Sequence, residues 1–199
     1  MNFAVVLFPD AEELDFAGPY EVIGMAAKWM YKDWRLYTVA QERTVRASCG
    51  LSVNADYTFD DAPPADVIIV PGGLGTRPGA ENAALIGYIE RTGAKAQYVT
   101  SVCTGAFLLQ KAGFLNGKRA TTYWSERENL SKLGVEVQAE RWVHDGNVIT
   151  AAGVSAGIDM ALYLVGVLKS PEEARRLQNL IEYDPAPPYG TSSPLRRKG

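Results

Sequence analysis

The sequence predicts a doubly wound, flavodoxin-like α/β sandwich with a mainly parallel sheet. Short apolar runs alternate with amphipathic segments along the chain, which is typical of strands followed by crossover helices. Runs such as FAVVLF (3–8) and DVIIV (66–70) are continuously apolar, which favours parallel strands covered on both faces. The 199 residues, 47% of them apolar, fit one domain over 1–199. Its C-terminal segment, 184–199, is rich in proline.

The first half of the chain alternates between strand and helix signals. FAVVLF is bounded by Pro9, and PYEVIGMAAKWM then places apolar residues at helical spacing from Pro19 onward. WRLYTVA reads as a second strand, and the next segment as two strands that turn at Gly50. The predicted strands cover 3–8, 34–40, two parts of 44–59 and 66–70, and the predicted helices cover 19–30 and 81–93.

The second half continues this pattern and closes with helices. The strand QYVTSV leads through Cys103 into the helix GAFLLQKAG. RATTYW predicts a further strand, and SERENLSKLG predicts a helix that Ser125 caps. A hairpin follows, with Asp145 and Gly146 at its turn. These strands cover 97–102, 119–124 and both arms of 135–153, and the helices cover 105–113, 125–134, 156–170 and 171–183.

Charge and composition argue against several classes of function. A formal net charge of −3 provides no attraction toward phosphate backbones, so nucleic acid is not an expected partner. The N-terminus reads as a strand and not as a signal peptide. The apolar stretch IDMALYLVGVL is about half the roughly 20 residues that a membrane span needs. We therefore expect a cytoplasmic protein without membrane contact.

The two cysteines give no sign of a metal centre or a disulfide framework. Cys49 and Cys103 belong to no CxxC pattern and to no Cys/His cluster, so neither a disulfide scaffold nor a metal site is predicted. The segment GLGTRPG lacks the spacing of a nucleotide-binding loop. We expect no cofactor. Cys49 lies in a predicted hairpin and is expected to be a packing or interface residue.

Residues that could bind or react with a ligand follow three of the predicted strands. Ligands of a doubly wound sheet bind at the carboxyl ends of its strands, so Asp15, the pair Gly72 and Gly73, and Cys103 are expected at one crevice. Cys103 lies at a sharp strand-to-helix turn, where the positive end of the next helix favours a thiolate nucleophile. A buried structural cysteine is the alternative.

The other strand-end residues have expected roles of their own. The amides of Gly72, Gly73 and Thr104 are expected to hold negative charge on a substrate, although the two glycines would equally suit a tight turn. Asp15 beside a thiolate would have its pKa raised by desolvation and like charge, and would then donate a proton. The alternative for Asp15 is a helix N-cap.

The single histidine argues against a Cys-His dyad. His144 lies beside the predicted hairpin turn and is expected to be exposed, far from the strand ends. Cysteine-protease chemistry, which needs a histidine near the nucleophile, is therefore disfavoured.

Five segments together resemble the DJ-1/PfpI superfamily over nearly the full chain. They are LFPDAEELDFAGPYEV, DVIIVPGGLGT, YVTSVCTGAFLLQKAGFLNGKRATTYW, DGNVITAAGVSAGIDMAL and EYDPAPPYG, in the expected order. Within the superfamily the resemblance is to bacterial enzymes that hydrate isonitriles. It implies that Cys103 is the nucleophile, Asp15 its acidic partner, Thr104 the hydroxyl residue after it, and Gly73 the glycine whose amide faces the site.

The resemblance also implies a substrate, an assembly and one departure from the family. The substrate would be a small apolar isonitrile in a pocket lined by Tyr123, Trp124 and Val154, and the protein would be a homodimer. Core packing is the alternative for the aromatic residues. Relatives commonly read TTHW where this chain has TTYW, which argues against proteolysis and glyoxalase-type chemistry. A redox or small-molecule sensor without turnover and a glyoxalase- or deglycase-like enzyme are the competing hypotheses.

Overall fold

The computed structural model describes residues 1–189, which contain eleven strands and seven α-helices. The strands are β1 (Asn2–Leu7), β2 (Arg35–Ala40), β3 (Thr44–Arg46), β4 (Ser52–Asn54), β5 (Tyr57–Thr58), β6 (Val67–Val70), β7 (Tyr98–Val102), β8 (Arg119–Ala120), β9 (Glu136–Val137), β10 (Trp142–Asp145) and β11 (Val148–Ala151). The helices are α1 (Glu13–Trp29), α2 (Thr76–Gly79), α3 (Ala83–Gly93), α4 (Gly105–Lys111), α5 (Arg127–Lys132), α6 (Ala156–Leu168) and α7 (Pro171–Leu180).

Seven of these strands form the central sheet, in the order β10-β11-β7-β6-β1-β2-β5. Neighbouring strands are parallel except β10, which pairs with β11 in an antiparallel hairpin. The predicted doubly wound α/β architecture with a mainly parallel sheet is therefore confirmed. Because β1, β6 and β7 are adjacent, the chain segments that leave their carboxyl ends lie side by side.

The core lies on both faces of the sheet, since the central strands are buried throughout. Val67–Val70 of β6 are fully inaccessible to solvent, as continuously apolar parallel strands require. One group of helices, α1, α6 and α7, packs together, and a second group contains α2, α3 and α4. Both groups contact β6 or β7, so the sheet lies between two helical layers.

Helix α1 begins at Glu13, six residues before its predicted start at Pro19. Asp15 consequently lies in the first helical turn and not in a loop. Proline inside a helix removes one backbone hydrogen bond and needs room for its ring. Gly157 of α6 provides that room, since a Cβ on Gly157 would lie 3.2 Å from the ring carbons of Pro19.

The segment RATTYW is not the strand that its β-branched residues predict. Only Arg119–Ala120 pairs, with β9, and the following residues leave the ladder. The amide of Thr121 donates to the Thr150 hydroxyl at 2.8 Å. Because this acceptor is a side chain and not a strand carbonyl, the regular pairing ends here. Ser125 lies inside a 3-10 turn (Trp124–Glu126) and caps no helix, so that prediction is also wrong.

The remaining differences are small. The hairpin of β10 and β11 is confirmed, but the pairing of Asp145 with Val148 places Gly146 and Asn147 at the turn, one residue later than predicted. Among residues 1–189 no helix is both long and apolar enough to cross a bilayer. Residues 184–189 are exposed, and the rest of the proline-rich segment, 190–199, lies outside the described residues.

Candidate functional site

The carboxyl ends of β1, β6 and β7 bring Asp15, Gly72 and Cys103 together. The Gly72 amide donates to Asp15 Oδ2 at 2.9 Å, inside the protein. The Cys103 thiol lies close enough to the same carboxyl group for each to change the pKa of the other. Asp15 is completely inaccessible to solvent and Cys103 is 7% exposed. A carboxyl group and a thiol thus share one buried site at the sheet edge.

Cys103 occupies a strained turn between β7 and α4, which we call the elbow. Its φ of 56° lies in the left-handed region, which costs a residue other than glycine about 1–2 kcal/mol. Its amide donates to the carbonyls of Ala151 and Ala152 at 3.1 and 2.7 Å. Its carbonyl accepts from the Thr122 hydroxyl at 2.8 Å. Hydrogen bonds on both of its peptide groups therefore hold the strained conformation.

Two backbone amides approach the Cys103 sulfur. The amides of Thr104 and Val154 both lie near it and lower the pKa of the thiol. Val154 has a φ of 34°, which is uncommon for a β-branched residue and places a second strained residue at the site. Such strain concentrates where a structure holds groups in position for function. The two amides can therefore stabilise a negative charge on the sulfur.

Burial dominates the titration of the Asp15 and Cys103 pair. It raises the pKa of Asp15 from 3.8 to about 7, although the hydrogen bond from Gly72 opposes the rise. Burial and then the Asp15 carboxylate raise the pKa of the Cys103 thiol to about 12. The predicted rise for Asp15 agrees with this. The predicted resting thiolate is wrong, because the amides at the sulfur lower its pKa by less than burial raises it.

The amides of Gly72 and Gly73 are engaged within the protein. Gly72 donates to Asp15, and Gly73 donates to Thr104 Oγ1 at 3.0 Å. The expectation that these two amides face a ligand is therefore corrected: they position Asp15 and Thr104. A Cβ on Gly72 would lie 2.5 Å from the Thr104 nitrogen and 2.9 Å from Asp15 Oδ2, so only glycine fits this contact.

The three predicted pocket residues lie at different depths. Tyr123 and Val154 are partly buried, and Trp124 is exposed. The ring of Tyr123 lies against Gly153, where a Cβ would be 2.4 Å from Cδ2 of the ring. Val154 follows directly and reaches the sulfur with its amide. Trp124 is 51% exposed, and its ring centroid lies 5.8 Å from that of Tyr123. Val154 thus borders Cys103, Tyr123 packs against the neighbouring Gly153, and Trp124 lies further out at the surface.

His144 is half-buried, so its predicted exposure is wrong. Its Nδ1 lies 3.0 Å from the Tyr163 hydroxyl and its Nε2 lies 2.9 Å from the carbonyl of Gly146. Both ring nitrogens are thus engaged around β10, at the far edge of the sheet. The chain's one histidine takes no part in the Cys103 site.

Cys49 lies exposed on the turn between β3 and β4. Its sulfur and the carboxylates of Glu12 and Glu13 lie within 4.8 Å of one another. Glu13 Oε1 accepts from the Cys49 amide at 2.7 Å, and the same carboxylate raises the pKa of the Cys49 thiol. These contacts attach the hairpin turn to the start of α1, one turn from Asp15.

Thr122 is a site residue that sequence reasoning misses. It is fully buried, and its hydroxyl reaches the carbonyl of a residue 19 positions earlier. No local pattern marks such a contact, because a threonine in an apolar segment equally suits a strand.

The chain matches known proteins over most of its length. The model of the DJ-1/PfpI family matches residues 1–166. An isonitrile hydratase of Pseudomonas putida is 40% identical over 195 residues, which are 98% of this chain and 83% of that protein. A deglycase of Pyrococcus horikoshii is 28% identical over 73% of this chain and 88% of its own. The crystal structure of a ThiJ/PfpI family protein from Pseudomonas syringae superposes with a TM-score of 0.90 at 35% identity, over 96% of this chain and 78% of that one.

Proposed function

The chain belongs to the DJ-1/PfpI family, and from this premise we propose that it is a lyase that adds water to an isonitrile and releases an N-substituted formamide. One observation carries the proposal: a fully buried carboxyl group with a pKa of about 7 lies within reach of a buried thiol. This pair can move one proton back and forth without a histidine. The identity with the Pseudomonas putida hydratase supports the choice of substrate class.

The first half of the reaction forms a thioimidate. The Cys103 thiol gives its proton to the Asp15 carboxylate, and the sulfur adds to the terminal carbon of R–N≡C. Asp15 then returns the proton to that carbon, which yields R–N=CH–S–Cys103 and leaves Asp15 ionised. The amides of Thr104 and Val154 stabilise the thiolate that exists during the transfer.

The second half hydrolyses the thioimidate. Asp15 takes a proton from water while the hydroxide adds to the carbon, and the same proton passes to the nitrogen. Asp15 then accepts the hydroxyl proton as the C=O bond forms and the C–S bond breaks. The products are R–NH–CHO, a thiolate and a protonated Asp15, which is the state that attacked the isonitrile. One titrating carboxyl group suffices for all of these transfers.

The substrate is proposed to be small and apolar, because Tyr123 and Val154 would offer it mainly apolar surface. Tyr123 and Val154 would contact the R group, and Trp124 would form the rim of the opening. Tyr123 lies where relatives commonly have histidine, so it supplies an aromatic wall without a second base. This feature favours carbon protonation by Asp15 alone.

The first experiment is formamide production from cyclohexyl isocyanide, followed by NMR of the formyl proton. We expect turnover by the wild-type protein, none by Cys103→Ala, and a loss of at least about a hundredfold in Asp15→Asn. Cys49→Ser changes the other, exposed cysteine and is expected to retain wild-type turnover. Wild-type protein with a reduced thiol and no formamide would contradict the proposal.

The same variants distinguish the competing functions. The identity with a deglycase makes a glyoxalase- or deglycase-like activity the second candidate. It would appear as Cys103-dependent consumption of methylglyoxal without formamide production. A sensor would show neither activity, and peroxide would convert Cys103 to a sulfinate.

A further inference from the structure

Thr122 is a buried residue whose side chain hydrogen-bonds to the backbone of the nucleophile. Its side chain is fully inaccessible to solvent, and its hydroxyl donates to the Cys103 carbonyl at 2.8 Å. A buried carbonyl that loses its donor is costly, and it turns toward another partner where one exists. The Thr122 hydroxyl is therefore a constraint on the direction of the Cys103 peptide group.

Thr122 can act as a constraint because its own backbone is fixed from the neighbouring strand. The Thr121 amide donates to Thr150 Oγ1 of β11 at 2.8 Å. The Thr121 hydroxyl donates to the carbonyl of Glu140 at 3.1 Å. Residue 122 is thus held against the sheet independently of Cys103.

The same segment also packs beside a residue whose amide lies near the sulfur. Tyr123 follows Thr122, and its ring packs on Gly153, next to the strained Val154 whose amide reaches the sulfur. Contacts therefore run from the Cys103 carbonyl through Thr122 and Tyr123 to the Val154 amide. They form a closed ring of contacts around the nucleophile.

We propose that Thr122 is a positioning residue: its hydroxyl keeps Cys103 in the left-handed conformation that places the sulfur between Asp15 and the amides of Thr104 and Val154. Without the hydroxyl, the Cys103 peptide group rotates and the thiol loses its alignment with the Asp15 carboxylate. Proton transfer from the thiol to Asp15 then fails. The proposed hydratase activity depends on this transfer, but the reactivity of the thiol can be measured without any isonitrile.

The test measures alkylation of Cys103 by iodoacetamide as a function of pH in a Cys49→Ser background, which leaves one cysteine. Wild-type reactivity is expected to rise near pH 7, as Asp15 ionises and can accept the thiol proton. In Thr122→Val this rise is expected to disappear, so that the rate at pH 8 falls about tenfold and recovers only in alkaline solution. Thr122→Ser keeps the hydroxyl and is expected to restore the rise.

Thr100→Val is the matched control. Thr100 is equally buried, and its hydroxyl donates to the Ile68 carbonyl at 3.1 Å within the same sheet. It is expected to lose stability as Thr122→Val does while it keeps the wild-type alkylation profile. Should Thr122→Val fail to fold, Thr122→Ala removes the hydroxyl without adding bulk.

The outcomes separate the two proposals. A wild-type profile in the variants without the hydroxyl, or an equal loss in Thr100→Val, would overturn the positioning role. Loss of the rise with rescue by serine supports it, whether or not the protein hydrates isonitriles. Failure of the formamide assay alone would overturn only the proposed function.

Discussion

Asp15 is the residue at which function opposes stability. Its carboxyl group is fully buried, and its pKa is raised from 3.8 to about 7 in the folded state by burial. A raised carboxyl pKa means that the folded state loses stability as pH rises through the interval between the unfolded and folded values. The buried Asp15 carboxylate therefore lowers the free energy of unfolding, and this loss develops between about pH 4 and pH 7.

We predict that Asp15→Asn increases the free energy of unfolding relative to wild type, more so at pH 8 than at pH 5. The rise of the Asp15 pKa from 3.8 to about 7 corresponds to about 4 kcal/mol of lost stability when fully expressed. About 2–3 kcal/mol of this loss arises between these two pH values. The Asn side chain can still accept from Gly72, but its amide would point to the position of Oδ1, which has no partner. That unpaired donor subtracts a similar amount at both pH values.

Urea unfolding at pH 5 and pH 8 measures this difference. Asp60→Asn removes the same charge at an exposed position and serves as the control, for which no such pH dependence is expected. Equal effects of Asp15→Asn at the two pH values would show that the pKa of Asp15 is not raised. The basis for its role in proton transfer would then be lost.

At the scale of elements, the elbow depends on how closely α4 approaches β6. Gly105 is the first residue of α4, and a Cβ there would lie 2.3 Å from the Val70 carbonyl oxygen and 2.7 Å from that of Pro71. Both contacts are backbone atoms, which cannot turn aside as a flexible side chain can. The absence of a side chain at residue 105 sets the spacing of the β6 and β7 ends, and with it the distance from Gly72 to Cys103.

We predict that Gly105→Ala destabilises the fold by about 2 kcal/mol or more and lowers turnover by moving Cys103 away from Asp15. Gly24→Ala is the matched control. A Cβ on Gly24, inside α1, meets only Leu36 Cδ2 at 3.5 Å, so alanine should stabilise the helix by about 0.5–1 kcal/mol. Thermal unfolding with a formamide assay checks both variants, and a neutral Gly105→Ala would disprove the close-approach argument.

The elements also show what the sequence can and cannot predict. Buried strands such as β6 can be predicted from local apolar runs. The proximity of Asp15 and Cys103 can be predicted because ligands of a doubly wound sheet bind at the carboxyl ends of its strands. The early start of α1 does not follow, because a pocket beside Gly157, on another helix, accommodates Pro19. RATTYW fails for a related reason, since its two threonines bond to partners distant in sequence.

The protonation state of the site cannot be predicted from the sequence for the same reason. A helix start after Cys103 is visible in the sequence and indicates a thiolate. The burial that outweighs it results from the packing of several elements and has no local signature.

At the scale of the whole molecule, α1 links the site to a groove on the surface. Its buried side carries Asp15, and its outer side lines a groove of about 720 Å³ with α6 and the end of α7. Leu14 and Leu180 in this groove are 40% and 43% exposed. Apolar side chains gathered in an open groove favour contact with another protein surface. We propose that a second copy of the chain covers the groove and so forms the homodimer that the family resemblance implies.

Sedimentation velocity is expected to give twice the chain mass of 21.7 kDa for the wild-type protein. Ala17→Arg places a charge on an exposed groove residue of α1 and should yield a folded monomer. Leu133→Arg, which replaces an exposed leucine outside the groove, should remain dimeric. A monomeric wild type would contradict the dimer, and a dimeric Ala17→Arg would place the interface elsewhere.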